Sequence, residues 1–155
     1  MDFLDPVYAR NCDIRRIDKA QAAAFLEANH RIGVASGRYR YGLFVRRSTG
    51  ICELRHPEGT LVAVAGFSSA RRLAGRGRSC EWIRYASLPG IRVVGGMSRV
   101  LARFVSDVRP DDIMSYADLS GPDGGEVYSV LGFEYEGIVD KPGFRCGKYR
   151  LRVSR

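Results

Sequence analysis

The sequence predicts an α/β fold: a mixed central sheet, mostly antiparallel with one parallel crossover, flanked by helices. Three observations carry this. The first half shows apolar, aromatic and β-branched runs separated by short turns. The second half alternates strand, helix, strand, helix and strand patterns. No repeat and no linker parts the chain, and 155 residues with 45% hydrophobic content can bury one core. A single domain over residues 1–155 is expected.

In order along the chain, residues 12–17 read as a short first strand. Asp18 is a good N-cap for a helix over 19–29, in which Ala22, Phe25, Leu26 and Asn29 share a face. A loop over 33–37 leads to a strand at 39–45. A turn at 48–50 returns the chain into 51–55, and a second turn at 57–59 leads to the apolar run 61–67, suited to a central strand. A basic loop over 71–78 precedes a strand at 81–86. Gly95 and Gly96 open a helix carrying Val100, Leu101, Phe104 and Val105 at helical spacing, and Arg109-Pro110 ends it. A buried strand over 113–117, a Gly/Pro/Asp loop, a short helix over 126–131 and strands over 133–139 and 148–153 complete the chain.

The net charge is +8, and apart from Lys19, Lys141 and Lys148 every basic residue is arginine. GC-rich coding accounts for the arginine bias. The net charge survives any Lys/Arg exchange and implies attraction to polyanions, either nucleic acid or a polyphosphate cofactor. No apolar stretch approaches a membrane span, and the acidic N-terminus carries no apolar signal run, so a soluble cytoplasmic protein is expected. Cys12, Cys52, Cys80 and Cys146 are widely spaced without a C-x-x-C pair, which predicts reduced, buried thiols rather than a zinc site.

The most informative segment is the strand around Trp82-Ile83-Arg84-Tyr85, followed by Arg92-Val93-Val94-Gly95-Gly96-Met97-Ser98-Arg99. A glycine-opened helix start presents unpaired N–H groups at a positive dipole end, an arrangement that binds phosphate oxygens. One strand later comes Tyr128-Ser129-Val130-Leu131-Gly132-Phe133, a Y-x-x-L-G-F series. Together these segments resemble the GNAT (Gcn5-related N-acetyltransferase) superfamily, well over residues 61–139 and weakly over the first third. The resemblance implies a GNAT-like fold and an acetyl-CoA or related acyl-CoA cofactor. Its pyrophosphate would lie on Arg92, Val94, Gly95, Gly96, Met97, Ser98 and Arg99, with Tyr128 protonating the departing thiolate. In the family's loop pattern, Q/R-x-x-G-x-G/A, Met97 stands where a small residue is usual. It is expected to crowd the backbone approach unless Gly96 shifts that approach by one residue.

His30, Arg84, Asp118 and Tyr128 form a rarer series, with Asp118 closing Ser115-Tyr116-Ala117-Asp118. It resembles the phage and mobile-element Mom-type branch, whose members modify adenine in DNA to a carbamoylmethyl form. The resemblance makes these four residues the active site and double-stranded DNA the partner. Asp118 would orient or deprotonate adenine N6, His30 would share the proton traffic, and the 71–78 loop would face DNA. A homodimer is compatible with this, and His, Asp and Tyr together could also hold iron. Each residue has a structural alternative. His30 can cap a helix C-terminus, Arg84 can pair with Asp118 for stability, Asp118 can begin a turn, and Tyr128 can be core. The competing expectation is an ordinary acetyl-CoA-dependent N-acetyltransferase for a small amine or protein. A third is a nucleic-acid-binding module that keeps the fold without catalysis.

Overall fold

The computed structural model describes residues 5–29, 37–46, 56–73, 77–119 and 125–153. The expected turn at 48–50, the strand at 51–55, Cys52 and His30 lie outside them. Among the described residues ten strands and three α-helices follow in chain order, with a single 3-10 turn at Ala9–Asn11 after β1: β1 (Asp5–Tyr8), β2 (Cys12–Arg16), α1 (Lys19–Asn29), β3 (Tyr39–Val45), β4 (Leu61–Phe67), β5 (Arg71–Leu73), β6 (Gly77–Ser87), β7 (Ile91–Val94), α2 (Gly96–Val108), β8 (Asp112–Asp118), α3 (Glu126–Val130), β9 (Glu134–Lys141) and β10 (Phe144–Arg152). The main sheet has the order β2-β3-β4-β6-β8-β10-β9. All its described pairings are antiparallel except β6 with β8, the crossover that the strand–helix–strand pattern of the second half predicted.

Helix α1 covers one face of this sheet. The Asp18 carboxylate accepts the Gln21 backbone N–H at 2.7 Å, closing the helix start as the sequence suggested. Ala22, Phe25 and Leu26 then pack on Ile17, Phe44, Val64 and Ala86. Asp18→Ala should therefore cost about 1 kcal/mol of stability, read as a lower urea midpoint at unchanged slope. A shift below a few tenths of that would show that the α1 end is held by packing alone.

Helix α2 covers the other face. Val100, Leu101, Phe104 and Val108 enter the larger core. Phe104 stacks on Phe67 with ring centroids 3.9 Å apart, and Phe67 stacks on Trp82 at 5.0 Å. Because helices cover both faces of β4, its residues from Val62 to Phe67 are buried without alternation. Arg109 ends α2 with a left-handed φ of 51°, and Pro110 follows. Cys12, Cys80 and Cys146 are buried, free thiols.

Two parts differ from expectation. The basic loop 71–78 includes a short strand pair, in which β5 runs against the start of β6 with Arg71 opposite Ser79 and Leu73 opposite Gly77. Arg78 is engaged with the end of α2. Its Nη1 donates to the Val108 and Arg109 carbonyls at 3.1 and 3.4 Å, satisfying the C-terminus of α2. The second difference is β1, which pairs in parallel with β7 to make a separate two-stranded sheet, Tyr8 opposite Val94. Four-residue strands leave too little alternation to be read from sequence.

Candidate active site

The parallel ladder between β6 and β8 has only three rungs, Ser79–Asp112, Cys80–Ile113 and Glu81–Met114. Beyond Glu81 the strands part, and side chains take over the pairing. Ser115 Oγ donates to the Trp82 carbonyl at 3.0 Å, and the Trp82 indole N–H donates to the Arg84 carbonyl at 3.0 Å. A bulge at Ile83 accompanies the parting, since Phe67 pairs with Trp82 but Gly66 pairs with Arg84. It resets the alternation of β6. Trp82 packs under α2, whereas Ala86 packs under α1 and Arg84 shares its side of the strand.

Tyr128 reaches this opening from α3. Its ring packs on Phe133, Tyr149 and Trp82, with centroids 5.4, 5.5 and 6.3 Å away. Its hydroxyl is hydrogen-bonded with Ser115. Burial pushes the phenol above its ordinary value. The Ser115 bond and the Arg84 charge pull it back, and Glu81 adds an upward push. Arg84 and Glu81 on β6 and Ser115 on β8 thus all act on the Tyr128 hydroxyl. Asp118 ends β8 opposite Cys146 and raises that thiol's pKa, after burial and against Lys141. Ser115 is the β8 residue that Tyr128 bonds.

At the mouth lies the start of α2. Gly95 is the N-cap in a left-handed conformation, φ 77°, with no side-chain cap bond, so the first-turn amides face outward as donors. Ser98 Oγ donates back to the Gly95 carbonyl at 3.1 Å and tightens the turn. Arg92 and Arg99 are exposed beside it. Met97 does not crowd this surface, because it packs inward against the core. Gly96 has a different duty from the one expected. An added Cβ would collide with the Tyr85 hydroxyl and approach Val93 Cγ1 to 2.9 Å, so Gly96 makes room for these side chains. That hydroxyl is buried without a hydrogen-bond partner among the described residues, and burial raises its pKa strongly. An unmade donor beside open helix amides fits a phosphate ligand.

Sequence reasoning missed Glu81, Ser115 and Tyr85. Ser115 stood inside the Ser-Tyr-Ala-Asp series and Glu81 three residues before Arg84, but only the parted strands single them out. The expected iron finds no support: among the described residues no group of three or more His, Cys, Asp or Glu could hold a metal. Nor, among these residues, is any helix long and apolar enough to cross a membrane. Arg78 sits at the C-terminus of the 13-residue α2, about 20 Å along its axis from the glycine-opened start.

No family model and no curated protein matches the chain by sequence. Solved structures do. The NatC complex bound to Gag peptide and CoA matches at a TM-score of 0.66 and 10% identity, over 93% of this chain and 99% of that one. Spermidine/spermine N-acetyltransferase SpeG from Vibrio cholerae matches at 0.66 and 10%, over 93% and 94%. A putative GNAT-family acetyltransferase from Desulfovibrio desulfuricans matches at 0.62 and 16%, over 92% and 99%. The chain therefore has the GNAT fold.

Proposed function

We propose that this chain is an acyl-CoA-dependent N-acetyltransferase acting on an amine. The single observation that carries this is the opening between β6 and β8, with the Tyr128 hydroxyl inside it and the open start of α2 at its mouth. CoA in the NatC complex, and acetyltransferase activity in the names of the similar structures, support a CoA-type donor. Bound acyl-CoA would supply an acyl group activated as a thioester. The first-turn amides of α2, helped by Arg92, Arg99 and the Tyr85 hydroxyl, would hold its pyrophosphate. Glu81 would accept the proton of the attacking amine, and Tyr128 would donate one to the departing sulfur. Asp118 and His30 are proposed as further acceptor-side groups.

The test is thiol release from acetyl-CoA in the presence of a panel of primary amines. Tyr128→Phe should slow transfer about 10²–10⁴-fold while acetyl-CoA affinity is retained. Absence of both acetyl-CoA binding and transfer overturns the proposal. The pH profile follows from the raised phenol. An acid with an elevated pKa keeps its proton to higher pH, so its contribution is lost only as pH rises past the ordinary phenol value of 10.0. No fall in rate between neutrality and that value should be attributable to Tyr128, and wild type and Tyr128→Phe should differ by a constant factor there.

A DNA-base-modifying transferase built on the same opening is the second reading, favoured by the charge of +8 and by Arg84 in the opening. Duplex DNA is its partner. Plasmid DNA exposed to the protein in cells and digested to nucleosides would then yield a modified deoxyadenosine by mass spectrometry, absent with Asp118→Ala.

A further inference from the structure

We propose that Arg84 selects the acceptor, and that the acceptor is an amine bearing an anionic group, a carboxylate or phosphate, near the nitrogen that reacts. This rests on the acetyltransferase proposal and names the substrate class of the same opening. The position of Arg84 follows from the bulge at Ile83, which carries it to the α1 side of the sheet just past the last β6–β8 rung. Its cross-strand neighbour is Gly66, which has no side chain to cover it. Gly66 in turn faces Arg40 on β3, whose guanidinium is already used, with Nε on the Ile17 carbonyl and Nη1 on the Gly37 carbonyl. Of these two arginines, Arg84 is the one with a donor unmade among the described residues.

Its hydrogen bonding is incomplete. Nη1 donates to the neighbouring Ile83 carbonyl at 2.9 Å, but Nε is buried with no partner among the described residues. No described carboxylate forms an ion pair with it within 4.0 Å. A guanidinium is always charged and offers its donors as a planar fork that matches a carboxylate or phosphate. Leaving such a donor unmade in a buried place is costly, and a ligand anion removes that cost. The charge is felt at the reacting end, because Arg84 and Glu81 both act on the Tyr128 phenol. Arg84 follows Trp82, on which the Tyr128 ring packs with centroids 6.3 Å apart, and Glu81 precedes it, so an amine whose anionic group docks on Arg84 would have its nitrogen within reach of Glu81 and Tyr128. A polyamine would meet the same cation with the wrong sign, on a chain that already carries +8.

The experiment compares phosphoethanolamine, β-alanine, ethanolamine and spermidine as acceptors, with acetyl-CoA as donor and thiol release as readout. The anionic amines should exceed ethanolamine in kcat/KM by about 10- to 100-fold, the range of one charged hydrogen bond, with spermidine last. The phosphoethanolamine and β-alanine arms separate a phosphate acceptor from a carboxylate one. In Arg84→Met the ratio between anionic and neutral acceptor should collapse toward one, whatever happens to the absolute rate. In Arg84→Lys an intermediate ratio should survive, because charge remains without the fork. A melting curve of each variant reports folding separately.

Three outcomes overturn the proposal: ethanolamine or spermidine preferred by wild type, an undiminished ratio in Arg84→Met, or duplex DNA modified while no small anionic amine turns over. Thiol release with neutral amines alone would discard the role of Arg84 and leave acetyl transfer standing. Loss of acetyl-CoA binding itself would discard both.

Discussion

Replacing Arg150 by alanine should remove about 3–5 kcal/mol of folding stability, a large share of the roughly 5–15 kcal/mol that a domain possesses. Its side chain is 2% exposed on β10, and Nη1 contacts Asp112 at 2.6 Å while Nε donates to Glu136 at 2.9 Å. Ser79 Oγ completes the set by donating to the same Asp112 oxygen at 2.5 Å. One guanidinium thus joins four neighbouring strands, β6, β8, β10 and β9, at the level where the three-rung ladder closes the opening. Truncation leaves Asp112 buried with a charge and one neutral donor, which is where the large cost arises. Replacing the buried pair by apolar residues, as in Arg150→Met with Asp112→Leu, should recover most of the loss, because the charge that stays, Glu136, is 24% exposed and keeps Lys148 at 3.9 Å. Urea unfolding of the single and double variants measures this as a coupling energy. A single variant within about 1 kcal/mol of wild type would mean that water or a neighbouring cation takes over the role of Arg150.

The network was invisible in sequence for a plain reason. Asp112 and Arg150 are far apart in the chain, and each looks like one more charge on a basic protein. What was legible had local causes. The Asp18 cap, the apolar stripe of α2 and the unbroken run of β4 each follow from neighbours within one element. Gly95 announced a helix start because its left-handed φ is a backbone need that glycine meets, and Tyr128 stood out through its Y-x-x-L-G-F series. The opening itself depends on where two strands stop pairing. That is set by a bulge at Ile83 and by the crossover through α2, which no window of residues contains. Hence Arg84 was flagged but its open donor was not, and Glu81 and Ser115 went unnoticed. One residue of the basic stretch 71–78, Arg78, is held by a contact that no local pattern contains. Composition records its charge, but only the fold shows that Arg78 serves the C-terminus of α2, at the other end of that helix from Gly95.

Gly96→Ala should abolish most acetyl-CoA binding and also destabilise the fold by about 1–3 kcal/mol. The new methyl collides with the Tyr85 hydroxyl and presses on Val93, so either the tyrosine or the first turn of α2 must move. Moving the turn misaligns the amides proposed to hold the pyrophosphate, and a tenfold or greater loss of affinity is expected. Tyr85→Phe separates the two effects. Alone, it removes a buried hydroxyl that has no partner among the described residues, so the cofactor-free protein should be no less stable, or more stable by up to about 1 kcal/mol. The same change should weaken acetyl-CoA binding about tenfold, since the hydroxyl is the donor proposed to complete the phosphate surface. Combined with Gly96→Ala it relieves the hydroxyl clash but not the contact with Val93, so stability should return in part while affinity stays low. Melting curves with and without acetyl-CoA, together with titration calorimetry, read all four corners of this cycle. Destabilisation of the free protein by Tyr85→Phe would show that the hydroxyl already has a partner. Unchanged affinity in Gly96→Ala would move the phosphate surface away from the start of α2.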